Sequence, residues 1–151
     1  MFTNETAAHQ YFSADFFGKT WELLEKQGRN QEDDERMISL AHASLAHWRM
    51  REDCTDRHLS IGYWQISRVH AVLGQAENAR HYGDLCLAVS GREPPFFLGY
   101  AHEALARAAK LAGDGKAFRC HLESAQILAE QVEDAEEKTM LVDDLNKLAQ
   151  A

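Results

Sequence analysis

The sequence predicts an all-α fold, an array of three antiparallel helix pairs closed by a seventh, C-terminal capping helix. Three observations carry that expectation. Ala, Leu, Glu, Gln and Arg dominate most segments, while the only two prolines stand together at Pro94 and Pro95, a balance that favours helix over strand. Apolar residues recur at spacings of three and four, and no convincing alternating run reads as a strand. Glycines at Gly28, Gly74 and Gly113 fall where apolar stripes end, at places where a chain leaving a helix uses left-handed torsions. Together these give helices at about 4–27, 31–50, 56–73, 75–90, 94–112, 115–131 and 134–149.

In the first helix Phe12, Phe16, Phe17, Trp21 and Leu24 make one apolar face, so this helix is expected to pack. The second opens on QEDDE, acidic groups suited to the positive end of a helix dipole, and carries Ile38, Ala41, Leu45 and Trp48 on one stripe. Thr55 is the expected cap of the third. The prolines suit the first turn of the fifth, where a missing N–H costs little. Phe96 and Phe97 follow them as a staple. The seventh begins DAEE, in which Asp134 and Glu137 can form a capping box, and should bury Leu141, Leu145 and Leu148.

The 151 residues fit one domain spanning 1–151, with 45% hydrophobic and 26% charged residues, an ordinary globular balance. No apolar run approaches the roughly 18 residues a membrane helix needs. MFTNETAAHQ has neither a basic segment nor an apolar core ahead of a cleavage site, so a cytoplasmic location is expected. A net charge of -8 without a basic stripe argues against nucleic acid. Cys54, Cys86 and Cys120 are odd in number and far apart, which reads as buried free thiols.

The glycines that end the first helix of each pair lie 46 and 39 residues apart. Tyr63, Ile66, Ser67, Gly74 and Ala79 in the middle pair align with His102, Leu105, Ala106, Gly113 and Ala117 in the next, and Phe17, Trp21, Leu24 and Gly28 follow the pattern more faintly. This arrangement resembles the tetratricopeptide repeat, a helix-turn-helix unit with large, small, Gly and Ala positions. Gly83 and His121 depart from it by standing at aromatic places, and Trp21 by standing at a small one. The stretches AHASLAHW, WQISRVHAVLG and AHEALARAAKLAGD, within residues 38 to 146, are also similar to a group of small uncharacterised bacterial proteins, a likeness that implies no activity.

The tetratricopeptide resemblance implies that the first helix of each pair lines a concave groove. Carried onto this chain, it places Asp15, Glu22, Trp64, Arg68, Tyr100, Glu103, Arg107 and Lys110 inside. Trp64 and Arg68 are spaced for a cation–π contact that would hold the guanidinium in one pose. Arg68, Arg107 and Lys110 together suit a carboxylate, with Trp64 and Tyr100 as an apolar floor. The expected function is thus noncatalytic protein or peptide binding, through an anionic group, with no cofactor. The same arginines could instead satisfy acids between helices, with Trp64 as core.

Eight histidines raise an enzymatic alternative. His42 and His47 are five apart, about 140° around a helix, and could not hold one ion alone. Cys54 and His58 have an i, i+4 spacing, but no second pair accompanies them, so zinc is not expected. A small-molecule or metal-dependent activity would need His42, His70 and Glu103 to converge. A third reading is a structural homo-oligomer, for instance a homodimer through the Phe-rich first helix.

Overall fold

The computed structural model describes residues 3–150 and contains seven helices, with no strand among them. They are α1 (Glu5–Glu25), α2 (Gln31–Arg49), α3 (Asp56–Val72), α4 (Ala76–Ser90), α5 (Pro95–Ala112), α6 (Gly115–Gln131) and α7 (Ala135–Ala149). Each start has a chemical reason. Asn4, Asn30, Asp114 and Asp134 each accept a backbone N–H of the first turn, and Pro95 occupies the first helical position of α5. Asp134 takes the Glu137 N–H at 2.9 Å. At Thr55 the expected cap involves a ring: the Thr55 N–H donates to His58 Nδ1 at 3.1 Å.

Gly28, Gly74 and Gly113 all hold positive φ, between 69° and 77°. A Cβ at Gly74 would meet nothing within 4 Å, so what excludes other residues is torsion rather than space. Gly74→Ala is therefore expected to cost about 1–2 kcal/mol, seen as a lower urea midpoint with an unchanged slope.

Successive helices pack on each other, α1 with α2, α3 with α4 and α5 with α6 most extensively, and α4 on α5 nearly as much. The α3–α4 seam shows the antiparallel sense. Ser60 near the start of α3 shares a hydrogen bond of 2.7 Å with Ser90 at the end of α4, and Ser67 further along donates to the Ala79 carbonyl at 2.7 Å. Small residues set the spacing: the hydrogen of Gly62 faces Leu45 and that of Gly83 faces Leu105, each where a Cβ would come within 2.8 Å of a leucine methyl. Gly83 thus yields to Leu105 the room an aromatic would fill. Two apolar clusters result, one around Met37, Ile66 and Val69, the other around Ala125, Leu141 and Leu145, and Trp64 packs against both. Leu141, Leu145 and Leu148 seat α7 as expected.

One expectation holds in part and one is corrected. The aromatic face of α1 does pack, Phe12 and Phe16 against His47 and Trp21 against Trp64, but its rings are only half-buried, and the residues α1 buries are Ser13, Thr20 and Leu23. The α1–α2 seam runs through small polar groups, with Ser44 donating to the Ser13 carbonyl at 2.7 Å, which turns Phe17 and Trp21 toward α3 instead. Of the cysteines only Cys86 is buried, whereas Cys54 is intermediate and Cys120 exposed. Burial pushes the Cys86 thiol up to about 11, so it stays protonated and donates to the Ser60 carbonyl at 3.3 Å. Among the described residues no helix is long and apolar enough to cross a membrane.

Candidate binding groove

Turning Phe17 and Trp21 toward α3 starts a continuous row of rings. Phe17 meets Trp21 at 6.5 Å, Trp21 meets Trp64 at 5.5 Å, Trp64 meets Tyr100 at 5.4 Å, Tyr100 meets Phe96 at 5.1 Å, and Phe96 meets Phe97 at 5.2 Å between ring centroids. The row crosses α1, α3 and α5, the three first helices of the pairs. Along it runs a cavity of about 340 Å³, to which all six of these residues, with Ile61, contribute apolar walls. Ser60 of α3 with Met140 and Asp144 of α7 complete the lining. Such a volume lies at the small end of ligand sites, and the predominance of aromatic walls over a few polar groups is what such sites share.

Beneath the rings lies a polar layer built on Glu103, which is fully buried. One carboxylate oxygen accepts the Trp64 indole N–H at 2.9 Å; the other accepts from Arg107 Nε at 3.0 Å and from a second nitrogen of the same guanidinium. Arg68 stands 4.0 Å from that second oxygen and lies over the Trp64 ring at 5.4 Å. The Arg68 Nε is buried without an acceptor. Burial draws its pKa down, and Glu103 opposes that shift by favouring the charged form. Tyr100 donates to Asp144 at 2.6 Å, and its phenol is held well above the ordinary range, by burial first and by Asp144 second. It remains a donor at any physiological pH.

Five of the eight residues read into the groove from the sequence therefore meet: Trp64, Arg68, Tyr100, Glu103 and Arg107. Their arrangement differs from an open cationic clamp, because Glu103 supplies from within the chain the carboxylate that the guanidiniums would otherwise have taken from a ligand. Lys110 does not join them. Its ammonium donates to the carbonyls of Leu148 at 2.6 Å and Gln150 at 2.9 Å, tying down the end of α7. Asp15 pairs with Lys19 at 2.9 Å and Glu22 is exposed, neither lining the cavity. Met140, Asp144, Phe96 and Phe97 were absent from the predicted site. The PPFF run signalled the last two, but nothing in the α7 pattern showed that its polar face would reach Tyr100.

His42 and His70 do approach each other, with Nε2 atoms 3.4 Å apart. Glu103 is committed to Trp64 and the arginines and does not complete a triad. Among the described residues no group of three or more His, Cys, Asp or Glu side chains is placed to hold a metal ion. Comparison with models of known protein families, with curated proteins and with solved structures finds no match for this chain.

Proposed function

We propose that this chain is a noncatalytic binding module, a short tetratricopeptide-like array whose groove receives an apolar or aromatic side chain of a protein or peptide. The observation that carries the reading is the row of six rings along a cavity of about 340 Å³, in which four helices each contribute to the wall. A surface that leaves so many aromatic faces open to one concavity gains by covering them, at roughly 25 cal/mol per Å² of apolar area removed from water. Arg68 does not line this cavity but stands behind Trp64, loosely engaged by Glu103, so the polar groups a partner meets there are Ser60 and Asp144 and the apolar side chain carries the contact.

The test is selection from a random peptide library on the immobilised chain, followed by titration of the winners against Trp fluorescence. Selected peptides should share an aromatic or large aliphatic residue. Met140 is 55% exposed, so Met140→Glu leaves the fold intact while placing charge in the groove, and it should weaken binding at least about tenfold. Arg68→Gln should weaken it less. Peptides that bind Met140→Glu and Phe96→Ala as tightly as wild type would place the working surface elsewhere.

A further inference from the structure

Six of the eight histidines form three contacts between neighbouring helices. His9 and His47 bring their Nδ1 atoms to 2.9 Å across α1 and α2, His42 and His70 their Nε2 atoms to 3.4 Å across α2 and α3, and His102 and His121 their Nδ1 atoms to 3.1 Å across α5 and α6. Ring centroids in the three pairs are 5.1, 5.6 and 5.3 Å apart, distances that leave room for two ring radii beyond the N···N contact and nothing more. Nitrogen points at nitrogen. A shared metal would need both lone pairs to converge on a third point, so this geometry fits one hydrogen held between two rings.

We infer that acidification releases α2 from both of its neighbours, because each of its two histidine contacts can hold one hydrogen between the facing nitrogens but not two. The five-residue spacing that keeps His42 and His47 from sharing an ion is what aims one at α3 and the other at α1. His70 has no freedom to adjust: its Nδ1–H donates to Gln75 Oε1 at 2.6 Å, which leaves Nε2 as the acceptor facing His42. Protonating the acceptor ring of either pair sets two N–H groups head to head.

Nothing nearby relieves that conflict. The first contact is flanked by Phe12 and Phe16, the second by Tyr82, which stacks on His70 at 5.5 Å. Burial first and the facing ring second disfavour charge in both contacts, acting on His47 through His9 and on His42 through His70, and because the two rings of a pair share one hydrogen the lowering below 6.5 belongs to the pair. In the third contact His102 is likewise held below 6.5, by burial first and by His121 second, but that contact joins α5 to α6 alone, whereas α2 carries two of the three. The sensitive device is therefore α2, and since α1 packs mainly on α2, losing that support lets Phe17 and Trp21 move relative to Trp64.

With folded values below 6.5, the stability these contacts contribute is complete above 6.5, the unfolded value, and is lost as pH falls from there through the lower folded values. Urea unfolding of the full chain between about pH 7.5 and about pH 5 should show the folded-to-unfolded ratio falling by up to about 100-fold per pH unit, tenfold for each of two excluded protons. A His42→Gln, His47→Gln double variant should show a much flatter dependence, and His81→Gln, an exposed ring outside the pairs, should keep the wild-type slope. Hydrogen exchange on wild type needs no variant: α2 amides should lose protection on acidification before those of α5. Parallel pH slopes in wild type and double variant, or uniform loss of protection across the helices, would overturn the inference. Because neither readout involves a ligand, failure here is separable from failure of the groove reading.

Discussion

Replacing Glu103 with alanine is expected to lower the unfolding free energy by about 3–5 kcal/mol, the cost of leaving a buried charge without its partner. The carboxylate is fully buried and serves three groups: the Trp64 indole, the Arg107 guanidinium and, at 4.0 Å, Arg68. Without it two guanidiniums, each with most of its side chain covered, face each other across a low-dielectric layer. Glu103→Gln keeps an acceptor for Trp64 but removes the charge, and should cost about 1.5–3 kcal/mol. Against a total stability of about 5–15 kcal/mol for a domain of this kind, the alanine variant stands close to the edge of folding. Urea unfolding reads the loss, and Trp64 emission should shift to the red as its N–H turns to solvent. If Glu103→Ala also carrying Arg107→Met recovers most of the loss, the damage came from uncompensated charge. If it recovers none, Glu103 matters through packing.

Helices are written in local chemistry, and the local chemistry of this chain is consistent: apolar spacing, side-chain caps and three left-handed glycines all agree, so boundaries fall within two or three residues of those expected. The groove was legible in part for the same reason. Trp64 and Arg68, or Glu103 and Arg107, meet because they lie one turn apart on one helix. What crosses between helices was not legible. Glu103 reads as the partner of Arg107, yet its second oxygen belongs to Trp64, 39 positions away, and only the register of α5 against α3 decides that. Of the histidine contacts only the approach of His42 to His70 was raised from the sequence, and the other two failed to show for the same cause, since each joins two helices. Lys110 was misplaced because its spacing from Arg107 says which face it starts on but not that α7 ends within reach of it. The Phe-rich face of α1 reads as one packing face, whereas the structure divides it: Phe12 and Phe16 lie against His47 of α2, while Phe17 and Trp21 reach the groove.

Leu141→Ala is the second substitution expected to act strongly, at about 2–5 kcal/mol. The side chain is fully buried against α5 and α6, in one cluster with Ala125 and Ala129, and beyond Leu145 and Leu148 α7 is held by the Tyr100–Asp144 hydrogen bond and the Lys110 contacts to its last carbonyls. Exchange of α7 amides should therefore rise well before that of α3. Gly99 makes the mechanism testable. A Cβ there would come within 2.7 Å of a Leu141 methyl and 3.6 Å of Leu128 Cβ, and Leu141, enclosed on all sides, has little room to yield. Gly99→Ala alone should cost about 1–3 kcal/mol by overpacking, outweighing the roughly 1 kcal/mol that alanine gains over glycine within a helix. In the Leu141→Ala background the obstructing methyl is gone and the propensity term remains, so the same Gly99→Ala change should become neutral or stabilising. A reversal of sign in the double-mutant cycle would establish that α7 seats on α5 through this one close approach, and that Met140 and Asp144 reach the groove because of it. Additive costs would mean that the two sites do not touch in solution, and that α7 docks in another register.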